Sequence, residues 1–89
     1  MKILIIDDDA GLRKSLSLIL SDAGYDVVQA EDGEQGLATA KEQSPGIILC
    51  DVRMPKLGGL EFLLRNAEYP VVLTERRNES PTHSFELQP

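Results

Sequence analysis

The sequence predicts an α/β protein built on a doubly wound parallel sheet, and three observations carry that expectation. Two apolar runs, KILII (residues 2–6) and GIILC (46–50), each end in acid, at Asp7 and at Asp51. Between them, apolar residues recur at steps of three and four. Strand-like and helix-like segments alternate from the start, an order that requires right-handed crossovers and helices on both faces of the sheet.

Taken in order, Lys2–Ile6 has the length and β-branched content of a strand, and its lack of alternation marks a strand buried on both faces. From Ala10 to Ala23, Leu12, Leu16, Ile19, Leu20 and Ala23 form one stripe of an amphipathic helix that Gly24 closes, with Asp9 as its N-cap. Tyr25–Ala30 is a weaker strand centred on Val27 and Val28, followed by a turn at Glu31-Asp32-Gly33. A second helix is expected over Glu34–Glu42, with Leu37, Ala38 and Ala40 inward and Ser44-Pro45-Gly46 ending it. Gly46–Asp51 repeats the opening pattern. Met54–Gly59 reads as a loop, Leu60–Asn66 as a short third helix with Leu60, Leu63 and Leu64 on its apolar side, and Pro70–Thr74 as a fourth strand.

Composition narrows the function classes. With 89 residues the chain is at most one domain, and with no Trp and four Phe or Tyr its core must come from Ile, Leu, Val and Ala. A formal charge of -6 disfavours attraction to nucleic-acid phosphates or anionic membranes, so no direct nucleic-acid or membrane binding is expected. The single Cys50 has no internal disulfide partner, and no apolar run is long enough for a signal peptide or a spanning helix, so the expected compartment is the cytoplasm. Cys50 reads as a small buried hydrophobe facing away from Asp51, and His83 as a solvated side chain of the polar tail.

In a doubly wound sheet, ligands sit beyond the carboxyl ends of the strands, where Asp7, Asp8, Asp51 and Thr74 all fall. Carboxylates gathered there repel unless a cation neutralises them, and Mg2+, a hard ion held by carboxylates, water and phosphate, suits such a site. An Asp beside Mg2+ can attack an activated phosphoryl donor to give an aspartyl phosphate. Asp51 is the candidate nucleophile, and the Thr74 hydroxyl a candidate donor to a phosphoryl oxygen.

With these residues in register, the segments KILIIDDDAGLRKSL, EDGEQGLATA, IILCDVRMPKLGGLEFL and PVVLT resemble, over residues 2 to 74, the receiver domain of bacterial response regulators. The resemblance implies a flavodoxin-like topology and a phosphorelay role. Asp51 would be the phosphoacceptor, Asp8 a direct Mg2+ ligand, Asp7 a ligand through water, Arg53 a ligand through its backbone carbonyl, and Thr74 the switch hydroxyl. Arg53 and Arg76 would overhang the site. The implied partner is a histidine kinase or phosphotransfer protein, and the implied chemistry is self-phosphorylation from a donor rather than turnover.

The sequence also departs from the family. After Thr74 it reads ERRNESPTHSFELQP, with no apolar period for the fifth strand and last helices, so the expectation is a truncated receiver over 1–75 and a tail over 76–89 that is extended, disordered or exchanged with a partner. No Lys matches the family's site lysine; Arg76 or Arg77 is the nearest substitute. The third helix is short, and Gly58 stands where the family often has Asp. An open fourth-strand edge predicts a homo-oligomer formed through that edge. Two other functions remain in view: a degenerate receiver that dimerises or binds proteins without phosphosignalling, and a Mg2+-dependent phosphohydrolase using Asp7 and Asp9.

Overall fold

A computed structural model describes residues 1–52, 69–74 and 85–86 of the chain. Its elements are β1 (Lys2–Ile6), α1 (Ala10–Asp22), β2 (Asp26–Ala30), α2 (Gly33–Gln43), β3 (Ile47–Asp51), β4 (Val71–Thr74) and β5 (Phe85–Glu86). The sheet order is β2-β1-β3-β4-β5, with the first four strands parallel. The expected doubly wound parallel sheet is therefore present, and the order reverses between β1 and β3. The expected third helix and the Met54–Gly59 loop lie outside the described residues.

Both helices begin where side chains satisfy the first free backbone N–H groups. Asp9 accepts from the Leu12 N–H at 3.1 Å, and Asp32 from that of Gln35 at 2.8 Å. Gln35 reaches back to accept from the Glu31 N–H at 2.7 Å, a variant of the capping box. At the other end of α1, the Tyr25 N–H donates to the Leu20 carbonyl and the Gly24 N–H to that of Ser21, a Schellman closure. That closure needs the left-handed backbone of Gly24, at φ +100°.

Parallel register alternates side chains between two faces. One face joins Leu4, Ile6, Ile48 and Cys50 to Ala30 and Ala40 in a buried cluster, flanked by Val28, Leu37, Tyr69, Val71 and Leu73. Gly36 lets α2 lie directly on this cluster, because a Cβ there would overlap the Ile6 side chain, coming within 2.9 Å of its Cγ1. The Tyr69 hydroxyl donates to the Ala40 carbonyl at 3.2 Å, tying the approach to β4 to the end of α2. The other face carries Ile3 and Ile5, buried, and Val27, Ile47, Leu49 and Val72, only half-buried, on the side where α1 packs.

Three expectations need correction. Ala38 is exposed, because Gly33, Gly36 and Ala40 turn the opposite side of α2 to the sheet. Ile19 and Ala23 are also exposed, and α1 buries no residue fully. Of the expected stripe, Leu12, Leu16 and Leu20, at four-residue steps, are the residues drawn toward the sheet, each half-buried. Finally, the β4 edge is not open along its length: Leu73 pairs with Glu86 and Thr74 with Phe85, antiparallel. Residues 75–84 are too few for a parallel crossover, which takes a dozen or more, but ample for an antiparallel return that pairs exposed edge groups.

Candidate metal and phosphoryl site

Asp51 is the last residue of β3 and Asp7 the first after β1, so two neighbouring parallel strands deliver their acids to the same end of the sheet at the point where strand order reverses. Each of Asp7, Asp8 and Asp51 offers a carboxylate oxygen, and these oxygens lie within 4.8 Å of one another. Asp51 is fully buried and Asp7 is 2 % exposed, whereas Asp8 faces solvent.

The turn after β1 is held by a short network. The Asp7 N–H donates to the Ala30 carbonyl at 3.1 Å, which anchors the turn to β2. The Asp7 carboxylate accepts from the Asp9 N–H at 2.9 Å, and the Asp7 carbonyl accepts from the Arg13 guanidinium at 2.7 Å. Asp9 caps α1, as its position suggested, so the three consecutive acids divide into two that face the cluster and one that starts a helix. Sequence reasoning missed Arg13: one turn into α1, it shows its link to Asp7 only once the helix has folded against the strand end.

Thr74 pairs with Asp51 in the β3–β4 register. Its hydroxyl donates to the Cys50 carbonyl at 3.5 Å, the outer limit of a hydrogen bond. Cys50 itself is buried on the opposite face, in the cluster with Ile6 and Ala40. Burial, reinforced by the negative charges of Asp51 and then Asp7, pushes its thiol up to about 12. Arg53, Arg76 and Arg77 lie outside the described residues.

The donor set is entirely carboxylate oxygen, with like charges crowded at one point, and this fits a hard divalent cation of the Mg2+ kind. Among the described residues no helix is long and apolar enough to cross a membrane.

Comparison with known proteins gives a consistent result. Residues 3–84 match the family model described as response regulator receiver domain. A relative from Porphyridium aerugineum, a probable transcriptional regulator ycf27, is 40% identical over 75 residues, covering 81% of this chain and 31% of its own length. Among solved structures, the N-terminal domain of an uncharacterized protein from Wolinella succinogenes is 41% identical with a TM-score of 0.80, covering 89% of this chain and 67% of that one. The chemotaxis protein CheY4 of Vibrio cholerae is 35% identical with a TM-score of 0.77, covering 88% and 72%. The chain spans about a third or less of the length of the curated relatives it matches.

Proposed function

The chain belongs to the response regulator receiver domain family, and from that premise we propose that it is the phosphoacceptor module of a two-component phosphorelay, with Asp51 taking a phosphoryl group from a histidine kinase or phosphotransfer protein. The observation that carries this reading is the gathering of the Asp7, Asp8 and Asp51 carboxylates within 4.8 Å at the carboxyl ends of adjacent strands.

In this reading Mg2+ is held by Asp7, Asp8, Asp51 and the Arg53 backbone carbonyl, and when bound it offsets the charge of the acids and of the incoming phosphoryl oxygens. A carboxylate oxygen of Asp51 attacks the phosphorus. The bond from phosphorus to the donor's imidazole nitrogen breaks, and the departing imidazole keeps the electron pair. Asp51 is buried at a strand end, so its approach is fixed by the sheet rather than by a mobile side chain. Exposed Asp8 marks the side from which a donor arrives. The Thr74 hydroxyl turns from the Cys50 carbonyl to donate to a phosphoryl oxygen, which would draw the end of β4 toward the site.

Receiver domains are signalling modules, and the experiment is phosphotransfer rather than turnover. Incubation with acetyl phosphate and Mg2+ is expected to add one phosphate to the intact mass, and Asp51→Asn to abolish it. A wild-type chain that gains no phosphate at any Mg2+ concentration would overturn the reading. A second reading, a protein-binding receiver without phosphosignalling, draws on the lysines among the described residues: Lys2 lies at the far end of β1, bonded to Gln43, and Lys14 and Lys41 lie on exposed helix faces. A missing phosphate adduct combined with normal folding would favour it.

A further inference from the structure

Asp8 is the acid of the cluster that the sheet does not hold by itself. Asp51 closes β3, and Asp7 is anchored to β2 through its N–H; both are buried, whereas Asp8 stands exposed two residues past the end of β1. Its carboxylate nonetheless lies within 4.8 Å of theirs. The Cα and Cβ of a residue are placed by the peptide planes on either side of it, because φ and ψ are the soft rotations between those planes. Both planes that flank Asp8 are held by hydrogen bonds. The plane before it carries the Asp7 carbonyl, which accepts from the Arg13 guanidinium at 2.7 Å. The plane after it carries the Asp9 N–H, which donates to the Asp7 carboxylate at 2.9 Å.

We propose that Arg13 is a positioning residue of the metal site. By holding the peptide plane between Asp7 and Asp8, it keeps the exposed Asp8 carboxylate beside Asp7 and Asp51 before any cation arrives. Arg13 is itself fixed for this. Its own N–H donates to the Asp9 carbonyl at 3.0 Å, and Asp9 caps α1 by accepting from the Leu12 N–H at 3.1 Å, so the guanidinium reaches back from the first turn of a closed helix. Three bonds form a ring: Asp9 to the Asp7 carboxylate, Arg13 to the Asp9 carbonyl, and the Arg13 side chain to the Asp7 carbonyl, with Asp8 inside its span.

The charge of Arg13 and its hydrogen bond act in opposite directions on a metal. A fixed cation beside the cluster repels Mg2+, so losing the charge alone would tighten binding. Losing the bond releases Asp8 and loosens binding, as loss of a partner that orients a metal ligand generally does. This role rests on reading Asp7, Asp8 and Asp51 as the Mg2+ site.

Isothermal titration calorimetry with Mg2+, and backbone NMR relaxation of the full chain in EDTA, test it. Arg13→Met keeps the apolar stem and removes both donor and charge. It is expected to weaken Mg2+ binding about tenfold or more. In EDTA the order parameter of its Asp8 amide should fall from about 0.85 toward about 0.6, with the β1 amides unchanged. Lys14→Met, which removes a neighbouring exposed charge without that bond, should leave both measurements as in the wild type. With acetyl phosphate, Arg13→Met should need about tenfold more Mg2+ for half-maximal phosphorylation, yet reach the wild-type rate once Mg2+ saturates. Arg13→Met binding Mg2+ as tightly as the wild type or more tightly, an Asp8 amide as rigid as before, or an equal loss in Lys14→Met would overturn the proposal. A wild type that binds Mg2+ yet gains no phosphate would instead overturn the phosphoacceptor reading and leave these affinities standing.

Discussion

At the scale of single residues, adjacent positions on β3 meet opposite environments. Asp51 turns to the acidic end of the sheet, and Cys50 turns to the apolar cluster, where burial and the neighbouring carboxylates hold its thiol protonated up to about 12 against a usual 9.0. Two outcomes follow from that shift. At pH 8 the folded chain's Cys50 is expected to react with iodoacetamide about a thousandfold more slowly than a free thiol, and urea should remove the difference. The folded state keeps this proton while the unfolded thiol releases it above about pH 9, so the thiol lowers stability as pH rises from about 9 to about 12 and adds no slope below that window. Urea unfolding of wild type and Cys50→Ala at successive pH values measures it: the variant should lose stability less steeply across the window, and parallel profiles would refute the assignment.

At the scale of elements, the seating of α2 rests on one missing side chain. Its N-terminus is capped by Asp32, its C-terminus closes at Ser44 in the left-handed region, and Gly36 between them allows direct contact with Ile6, which is fully buried. Gly36→Ala would gain helix propensity of up to about 1 kcal/mol yet force the helix away from the cluster, so a net loss of about 1 to 3 kcal/mol is expected in urea unfolding. A stabilised variant would show that α2 sits farther from β1. The α1 helix differs in kind: its inward line is only half-buried and its outward face carries exposed Leu18 and Ile19.

At the scale of the molecule, a divalent cation at the acidic cluster would offset like charges brought within 4.8 Å of one another. Mg2+ at tenfold over its Kd should add about 1.4 kcal/mol by mass action, and in a domain of this size that corresponds to a rise in Tm of about 5 to 10 °C. Asp51→Asn removes one carboxylate from the cluster, so its response to Mg2+ should shrink. Differential scanning calorimetry in EDTA and in Mg2+ measures both; a wild type indifferent to Mg2+ would contradict the cluster's reading as a metal site. The short β5 bears on the same scale, because pairing Leu73 and Thr74 leaves only part of β4 to recruit a second sheet.

The sequence by itself determined the local elements and their order. Apolar runs of strand length, three-and-four spacing, the Asp9 cap and the Gly24 stop are signals read over a few residues, and the structure reproduces them with boundaries shifted by a residue or so. It also placed acids at the ends of β1 and β3, since a parallel α/β order brings those ends together. Tertiary structure alone decided the rest. The 4.8 Å gathering of Asp51 with Asp7 and Asp8, the close seating of Gly36 on Ile6 and the antiparallel return of β5 depend on register and crossover length between residues far apart in the chain, and the hold of Arg13 on Asp7, six residues away, depends on how α1 leaves the end of β1. Periodicity reports which side of an element is apolar. It does not report how much of that side finds a partner, which is why Ile19 belonged to a stripe in the sequence and stands exposed in the fold.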